Sequence, residues 1–486
     1  MRHGLMFVAL LGLIALASCG EDGTNSTDTT DPQITILAPA ANANVVVGDV
    51  LIRAEATDNV AVEKVEFYAG ATLLGEDSTG SAGVYEHTWD TTGLTSGSVH
   101  QIRARAIDTT GNDTYATISV TICPAGTSVH SDNITTDETW YACWNPHTVT
   151  ASFSVWQGGT LTIEPGCIIQ FVADAAIYCA SDGAIIADGA PGMPILFTSD
   201  ETVPSRGDWA GLDIQSTQPE THFGYCTIEF AGAADGQAVY VAWGGVLRMD
   251  HSIIRNSAGR GIYYEHGGHV EQFNNNTITD CADYPLALDA DYVRHLGVGN
   301  DYTGNDSGYD AIEIYGGGVE TSGTWRNQGV PYRITEGSEV WVGDQVTPII
   351  LTIEAGTTIE FEPDAGMTIG YLVFAGLIAE GTIAAPITFT SAADSPNPGD
   401  WRQIWIADAS VDAQSRLSHC VIEYGGGQDF GNLLVSDALP QIEDCTIRHS
   451  STYGIYLNGV VHLNPATLES QNEFNDNASG DVVWVE

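Results

Sequence analysis

The stretch LTIEPGCIIQF at residues 161–171 returns as LTIEAGTTIEF at residues 351–361, displaced by 190 positions. Three shorter segments return in the same order: PILFTS (194–199) as PITFTS (386–391), GDW (207–209) as GDW (399–401), and CTIEF (226–230) as CVIEY (420–424). Because order and spacing both persist, the sequence predicts two tandem copies of one unit, at residues 124–310 and 311–486.

A shorter period runs inside each copy. Segments such as CTI (226–228), SII (252–254) and NTI (276–278) lie about 25 residues apart, and residues 420–422 and 445–447 repeat that step. Short apolar strands at this period, without a helical pattern, predict a solenoid whose stacked parallel strands share one core. The pieces GDWAGLDI (207–214) and NTITDCADYPLAL (276–288) resemble right-handed parallel β-helix repeat proteins of the pectate-lyase-like superfold. That resemblance covers residues 150–486.

Residues 33–123 follow a different pattern, with roughly seven short alternating strands separated by turn residues, which is typical of a β-sandwich. The stretches at 56–77 and 102–113 resemble bacterial immunoglobulin-like domains, which implies a spacer or an adhesive module. The predicted fold class is therefore all-β: an N-terminal immunoglobulin-like β-sandwich followed by a right-handed parallel β-helix built from two homologous halves.

The N-terminus begins with Arg2 and His3 and continues with an apolar stretch over residues 5–16 that is too short to span a bilayer. The sequence LASC at 16–19 resembles the bacterial lipobox. That resemblance implies a signal peptide over residues 1–18 and membrane attachment through acyl chains on Cys19. Residues 19–32 are polar and acidic, which predicts a flexible tether. In lipobox proteins, Asp directly after the cysteine tends to retain the protein at the inner membrane. Because Gly20 stands there instead, the resemblance implies the outer membrane or cell surface.

Charge and cysteine usage restrict the partners. Lys and Arg number 15 against 63 Asp and Glu, which gives a net charge of −48 and excludes nucleic-acid binding. An exported chain can form disulfides, and the cysteine spacings match no zinc site. Cys123 and Cys143, on either side of a predicted domain junction, are the predicted disulfide pair.

Parallel β-helices include pectate-lyase-like and polygalacturonase-like enzymes, so the resemblance also implies a possible enzyme. The single lysine, Lys64, lies in the immunoglobulin-like segment, and the polygalacturonase motifs are missing. An enzyme would have to use Arg255 as a lyase base, or Asp213 and Asp250 as hydrolytic carboxylates. Glu229 and Arg255 occupy equivalent positions in neighbouring coils, and Glu423 and Arg448 repeat them, which predicts salt bridges between coils.

Two aromatic runs, VYVAWGG (239–245) and GIYYEHGGH (261–269), lie about one coil apart. Aromatic rings beside polar groups suit sugar rings. The candidate ligand-binding residues are Tyr240, Trp243, Tyr263, Tyr264, His266 and His269.

Calcium is the possible metal, although no cofactor is required by the sequence. Carboxylates that could hold Ca²⁺ occur at predicted turns, where Asp is also favoured for local backbone reasons. They are Asp58, Asp108 and Asp113 in the immunoglobulin-like segment and Asp301, Asp306 and Asp310 in the β-helix.

Three functions follow from these patterns. The preferred one is a non-catalytic, lipid-anchored surface protein that adheres to a polysaccharide or a cell-surface glycan through the β-helix. The alternatives are a carbohydrate-active enzyme, either a lyase or a hydrolase, and a structural envelope protein.

Overall fold

A computed structural model describes residues 28–233, 236–265 and 267–486. The chain divides into two compact units, and the division falls between Cys123 and Pro124. The predicted signal peptide, Cys19 and residues 20–27 of the predicted tether lie outside the described residues. Within the described ranges, no helix is long and apolar enough to cross a membrane.

Over residues 28–123, the N-terminal unit is a two-sheet β-structure of eight strands. One sheet has three antiparallel strands, Gln33–Ala38, Asp49–Thr57 and Val84–Asp90. The other has five strands, Ala43–Val46, Val62–Ala69, Thr72–Asp77, Val99–Asp108 and Asp113–Cys123. Strict alternation in Asp49–Thr57 buries Val50, Ile52, Ala54 and Ala56, so each sheet turns one apolar face to a shared core. The predicted sandwich is confirmed.

The second unit is a solenoid of parallel strands that form five sheets. The long sheet spans the whole solenoid and has thirteen strands: Phe153–Val155, Ala176–Cys179, Gly211–Ile214, Gln237–Val241, Arg260–Tyr264, Leu286–Leu288, Ile312–Ile314, Tyr332–Ile334, Thr358–Phe361, Ile387–Ser391, Cys420–Glu423, Thr446–Arg448 and Glu473–Asn475. The predicted β-helix is confirmed.

Two sheets accompany the first part of the long sheet. The first N-terminal sheet has seven strands: Val129–His130, His147–Val149, Ile168–Phe171, Ile195–Ser199, Cys226–Glu229, Ile253–Arg255 and Thr277–Thr279. The second N-terminal sheet has six: Glu138–Trp140, Thr160–Ile163, Ala184–Asp188, His222–Gly224, Val246–Asp250 and His269–Asn274.

Two further sheets accompany the second part. The first C-terminal sheet has seven strands: Gly317–Val319, Glu339–Val342, Gly366–Ile369, Ile404–Ile406, Leu433–Ser436, Tyr453–Asn458 and Gly480–Val485. The second C-terminal sheet has five: Gly323–Trp325, Ile349–Ile353, Ala375–Glu380, Arg416–Ser418 and Gln441–Glu443. The helices are short: 3₁₀ turns at Ala142–Trp144, Ala290–His295 and Asp412–Gln414, and one α-helix at Pro465–Gln471.

Strands with matching sequences lie in different sheets. Ile168–Phe171 belongs to the first N-terminal sheet, whereas its counterpart Thr358–Phe361 belongs to the long sheet. Ala176–Cys179 belongs to the long sheet, whereas its counterpart Gly366–Ile369 belongs to the first C-terminal sheet. The change occurs between residues 280 and 316, where the two N-terminal sheets have ended and the C-terminal sheets have not begun. The repeated sequence therefore continues around the solenoid displaced by one sheet.

Matching residues nevertheless make matching contacts. Arg255 pairs with Glu229 and Arg448 with Glu423, each at 2.6 Å, so both predicted salt bridges are confirmed. In each pair the glutamate is nearly buried and the arginine is partly exposed. Each glutamate also accepts a hydrogen bond from a threonine hydroxyl one strand earlier, at 2.9 and 3.0 Å. These contacts join neighbouring rungs of the solenoid, where one rung is one strand of a sheet.

Asparagine side chains cap bends near the end of each copy of the repeated sequence. Asn300 and Asn305 accept hydrogen bonds from backbone N–H groups 24 residues earlier, at 3.0 and 3.1 Å. Asn472 and Asn477 do the same with groups 27 residues earlier, at 3.0 and 3.1 Å. Each side-chain amide thus satisfies backbone groups at a bend between strands.

Cysteines are of two kinds. Cys123 and Cys143, the predicted pair, are both disulfide-bonded. The other six cysteines of the described chain are free and buried, and most donate a weak S–H hydrogen bond to a backbone carbonyl.

Two buried histidines lie at the N-terminal end of the solenoid. His147 Nε2 lies 3.0 Å from the carbonyl oxygen of Tyr141, and its Nδ1 lies 2.9 Å from Nε2 of His130. Both rings stack on Trp140. These two hydrogen bonds need only one ring proton on each histidine, because His147 donates to the carbonyl oxygen and accepts from His130. The arrangement therefore requires His147 to be neutral, and it is complete when His130 is neutral as well.

This pair predicts acid sensitivity. Burial, and next the neighbouring His147, lower the pKa of His130 to about 4, although the Glu138 carboxylate lies 3.7 Å away; burial also lowers the pKa of His147. The unfolded chain, with a histidine pKa of about 6.5, binds more protons between pH 4 and 6.5. The contribution of His130, about 3 kcal/mol, is therefore complete above pH 6.5 and is lost as the pH falls towards 4.

Denaturant unfolding of the native chain and of His130→Phe between pH 4 and 8 measures this effect. The native chain should lose more stability than the variant on acidification, because the carboxylates that titrate in the same range are common to both. Parallel pH curves for the two proteins would contradict the prediction.

Candidate functional site

A row of tyrosines lies on the outer face of the long sheet. The backbone register aligns Tyr178 with Asp213, Asp213 with Tyr240, and Tyr240 with Tyr263 on four consecutive rungs. Their neighbours within each strand are buried, since strand side chains alternate between the core and the outside. We call these four residues the tyrosine face.

The tyrosine face is held by contacts between its own side chains. The rings of Tyr240 and Tyr263 stack with centroids 5.8 Å apart. Tyr240 donates a hydrogen bond to Glu265 at 2.7 Å. Burial, and next this carboxylate, raise the pKa of Tyr240 well above its usual value, so its hydroxyl stays protonated. The Arg260 guanidinium lies 5.1 Å from the Tyr263 ring centroid and forms two hydrogen bonds with Glu313, at 2.6 and 3.0 Å.

Exposure shows which rings a ligand could reach. Tyr178 is 40% exposed and Trp243 is 63% exposed, whereas Tyr240 and Tyr263 are half-buried. Trp243 lies in the turn after the strand Gln237–Val241, in the left-handed backbone region with φ 55°. An exposed tryptophan loses the stabilisation that burial of its large apolar surface would give. An exposed position is therefore better evidence for a ligand contact than a buried one.

The other predicted ligand-binding residues do not join this face. Tyr264 is fully buried, which corrects its assignment as a ligand contact, because the residue after an outward-facing tyrosine must point into the core. His269 lies in the second N-terminal sheet, where it stacks on Tyr292 with centroids 4.8 Å apart. His266 lies outside the described residues.

The predicted catalytic residues lie in three different sheets. Asp213 is in the long sheet, Asp250 in the second N-terminal sheet and Arg255 in the first N-terminal sheet. Arg255 is bound by Glu229, and the carboxylate oxygens of Asp250 lie 3.0 Å from His222 and 2.8 Å from His251. The fold therefore does not bring the two carboxylates, or either of them and the arginine, to one face.

Three aspartates come together in the N-terminal unit. Asp28, Asp58 and Asp108 each place a carboxylate oxygen within 4.8 Å of the others, and Asp108 is fully buried. Backbone N–H groups of residues 60 and 61 donate to one oxygen of Asp58, and those of residues 110 and 112 donate to one oxygen of Asp108. The remaining oxygens, Asp28 Oδ2 and Asp58 Oδ1, are buried and accept no hydrogen bond. We call these residues the aspartate cluster.

The charge of this cluster is not compensated by protein cations. Burial raises the pKa of Asp108, but hydrogen bonds from Asn112 and Thr110 outweigh it and lower the pKa to about 2, so the group is ionised at neutral pH. Over residues 28–123, none of the three carboxylates forms an ion pair with Lys or Arg. Oxygen ligands of this kind fit Ca²⁺, which takes carboxylates and backbone carbonyls.

The sequence foresaw only part of this cluster. The sequence predicts Asp58 and Asp108 as calcium ligands, but it places Asp28 in the flexible tether. Its backbone carbonyl accepts hydrogen bonds from Thr110 and Asn112, so the chain is docked on the sandwich from residue 28 onwards. A contact between residues more than 80 positions apart leaves no local signal in the sequence.

The remaining calcium candidates do not join the aspartate cluster. Asp113 pairs with Arg105 at 2.6 Å, and Asp306 pairs with Arg206 at 2.8 Å. Asp301 accepts from Thr303, and Asp310 accepts from the backbone of Asn305. Each has a local partner, and within the described residues none of the four belongs to a cluster of three or more carboxylate, histidine or cysteine groups that could hold a metal ion.

Comparison with known protein families agrees with both units. Residues 32–104 match the model of the bacterial Ig domain, and residues 132–254 match that of the pectate-lyase-like beta helix domain. The chain thus carries a bacterial Ig domain near its N-terminus, followed by a pectate-lyase-like β-helix domain that the family model matches as far as residue 254. Curated proteins yield no match to this chain.

Solved structures show weak similarity to parts of this chain. Fibronectin(III)-like modules of CbhA from Clostridium thermocellum share 24% identity, cover 19% of this chain and 99% of their own, and have a TM-score of 0.17. The endo-β-1,4-mannanase from Thermotoga petrophila shares 17% identity over 21% of this chain and 22% of its own, with a TM-score of 0.18. Pectate lyase Pel3 from Pectobacterium carotovorum shares 10% identity over 78% of this chain and 86% of its own, with a TM-score of 0.13. These scores are too low to bear on function.

Proposed function

We propose that this protein is a non-catalytic, lipid-anchored surface protein that binds polysaccharide through the outer face of its β-helix. The tyrosine face carries the proposal, because it sets three aromatic rings along four rungs, with exposed Trp243 nearby. Aromatic faces stack on the apolar faces of sugar rings, while Asp213 and Glu265 offer acceptors to sugar hydroxyls. The Ig domain then acts as a spacer behind the acylated Cys19.

Charge narrows the polysaccharide class. The net charge of −48 repels uronate polymers, and the tyrosine face itself carries Asp213. A neutral polysaccharide avoids that repulsion and needs no cation to screen the contact. Neutral glycans are therefore the favoured ligands.

The enzyme alternative is disfavoured by the distribution of its candidate residues. Asp213, Asp250 and Arg255 belong to three sheets, and a hydrolase needs its two carboxylates on opposite sides of one bond. Binding without turnover requires no such convergence, so the non-catalytic function fits the arrangement better.

Binding and turnover are separated by one experiment on a soluble fragment of residues 20–486. Affinity electrophoresis in gels that contain neutral or uronic-acid polysaccharides, with and without Ca²⁺, should show retardation by a neutral polymer. The double variant Tyr240→Ala/Tyr263→Ala should lose most of that retardation, at least about tenfold in affinity, equivalent to about 1.4 kcal/mol. The matched control Tyr115→Ala removes a tyrosine that is 62% exposed on the Ig domain and should bind normally.

Product analysis of the same mixtures decides among the alternatives. New unsaturated ends would show a lyase, and new reducing ends would show a hydrolase; either result would overturn the non-catalytic proposal. Neither retardation nor turnover with any polymer would instead favour a structural envelope protein. Incorporation of labelled palmitate by the full-length chain, and its loss in Cys19→Ala, tests the lipid anchor separately.

We also propose that the aspartate cluster binds Ca²⁺ and so stiffens the spacer. The buried, unpartnered oxygens of Asp28 and Asp58 support this, because they lie beside the ionised Asp108 without a hydrogen-bond donor. A divalent cation would neutralise most of the three charges and would tie residue 28 to two turns of the sandwich.

A further inference from the structure

A cleft of about 380 Å³ opens on the first C-terminal sheet, on a different face of the solenoid from the tyrosine face. It is lined by aromatic and aliphatic side chains together with one carboxylate and two hydroxyl groups, on a threonine and a tyrosine: Glu339, Trp341, Val342, Thr368, Tyr371, Val373 and Trp405. Sites for small ligands span roughly 300–1,000 Å³ and combine an apolar lining with few polar groups. This cleft, which we call the tryptophan cleft, has that composition.

Its walls follow from the strand register. Trp341 aligns with Thr368, and Thr368 aligns with Trp405, so the tryptophans lie two rungs apart on either side of a threonine. Rung spacing separates their backbones by roughly 10 Å. Trp341 is 41% exposed, Thr368 is nearly buried at the floor, and Tyr371 packs against Trp405 with ring centroids 4.8 Å apart. Aromatic rings thus stand on both sides of a recessed threonine.

Polar groups at one edge complete the cleft. Thr368 donates a short hydrogen bond to the Glu339 carboxylate, and Arg402 lies 3.7 Å from the same carboxylate while also bonding Asp364 at 3.1 Å. The ring N–H of Trp405 donates to Ser436 at 3.1 Å, which fixes the orientation of that indole. The edge therefore offers preoriented acceptors and donors, with no uncompensated positive charge.

The aromatic side chains of this cleft are not part of the repeated scaffold. When the two copies of the repeated sequence are aligned, Trp405 corresponds to Asp213, and Thr368 corresponds to Tyr178. Buried scaffold residues behave differently, because Trp209 and Trp401 match and make the same contacts. Each repeat thus keeps its core and presents a different set of outward side chains on the corresponding face.

We propose that the tryptophan cleft is a second glycan-binding site, which takes a neutral hexose residue within a polysaccharide chain. It rests on the proposed polysaccharide-binding function and adds a site that is independent of the tyrosine face. Stacking on Trp341 and Trp405 contributes the apolar contact, and Glu339 with Arg402 binds ring hydroxyls. The Glu339 carboxylate and the chain's acidity disfavour uronates, so the ligand is neutral.

The test uses the fragment of residues 20–486 labelled with 5-fluorotryptophan, and its ¹⁹F resonances are assigned with Trp341→Phe and Trp405→Phe. Titration with cellohexaose, mannohexaose and maltohexaose should shift the Trp341 and Trp405 resonances with one of these sugars. Trp405→Ala should weaken this binding at least about tenfold, whereas Tyr240→Ala/Tyr263→Ala should leave the shifts intact. Trp484→Ala, which removes a tryptophan 44% exposed three strands further along the same sheet, is the matched control.

The outcomes distinguish this inference from the proposed function. If the hexasaccharides bind and the Trp341 and Trp405 resonances do not move, the second site is wrong while polysaccharide binding stands. If the resonances shift and the tyrosine variants also retain full binding in gels, the cleft is the principal site. No binding of any neutral glycan by the native fragment would overturn the proposed function and the second site together. Unchanged circular dichroism verifies that each variant is folded.

Discussion

Trp401→Ala should destabilise the β-helix by about 3–5 kcal/mol, the range for removing a large, fully buried aromatic side chain. Trp401 is not exposed at all, its ring lies 4.2 Å from the Phe361 ring between centroids, and its N–H donates to the carbonyl oxygen of Glu423 at 2.9 Å. The substitution leaves a cavity and an unpaired buried carbonyl group. Denaturant unfolding of the 20–486 fragment, followed by far-UV circular dichroism, measures the loss.

Two variants make this result interpretable. Trp401→Phe keeps most of the ring and removes the hydrogen bond, so it should cost about 1–2 kcal/mol. Trp341→Ala removes a tryptophan from the surface and should cost less than about 1 kcal/mol. Equal losses in Trp401→Ala and Trp341→Ala would show that Trp401 is not a core residue. Trp209, with the same contacts to Phe171 and the Glu229 carbonyl, should repeat the effect of Trp401.

Calcium should raise the free energy of unfolding of the Ig domain by about 3 kcal/mol when it is present at a hundredfold excess over its Kd. The reason is that Ca²⁺ would bind three carboxylates that are close together only in the folded state. Calorimetry of the 20–486 fragment in CaCl₂ and in EGTA measures the shift of the Ig transition. Isothermal titration gives the Kd.

The variant Asp58→Asn tests the calcium site, because its stability relative to the native chain should differ in sign between EGTA and CaCl₂. Its side-chain oxygen can still accept from residues 60 and 61, but one of three mutually repelling charges is lost. In EGTA the variant should match or exceed the native stability, and in CaCl₂ it should fall below it. Asp90→Asn is the matched control, because Asp90 accepts from a backbone N–H in an exposed turn outside the cluster. Identical behaviour of Asp58→Asn and Asp90→Asn would contradict the calcium site.

The fold was largely predictable because its signals are periodic. Alternation in Asp49–Thr57 and the roughly 25-residue step from Cys226 both follow from side-chain direction in strands. The Glu229–Arg255 pair was predictable for the same reason, since equivalent positions on neighbouring rungs must meet. The shift of matching strands to a new sheet was not, because it depends on the irregular chain between residues 288 and 312.

The residues of the candidate binding surfaces were predictable only where the local sequence determines which side chains point outwards. In IYY at 262–264 the sequence cannot say which tyrosine faces outwards, and the structure places Tyr263 outside and Tyr264 in the core. Trp341 and Trp405 each stand between buried aliphatic residues, which is a readable signal for an outward aromatic, but they lie far from the denser aromatic runs. Asp28 had no such signal.

The displacement of the repeat by one sheet has a consequence for how the protein would engage a polysaccharide. The two proposed surfaces face different directions, so a single extended polysaccharide chain cannot follow both of them. Separate chains of one polysaccharide network could occupy both surfaces at once. The second contact would then form at a high effective concentration of the polysaccharide. Modest affinity at each surface would give durable attachment to a gel or cell wall, together with cross-linking of its strands.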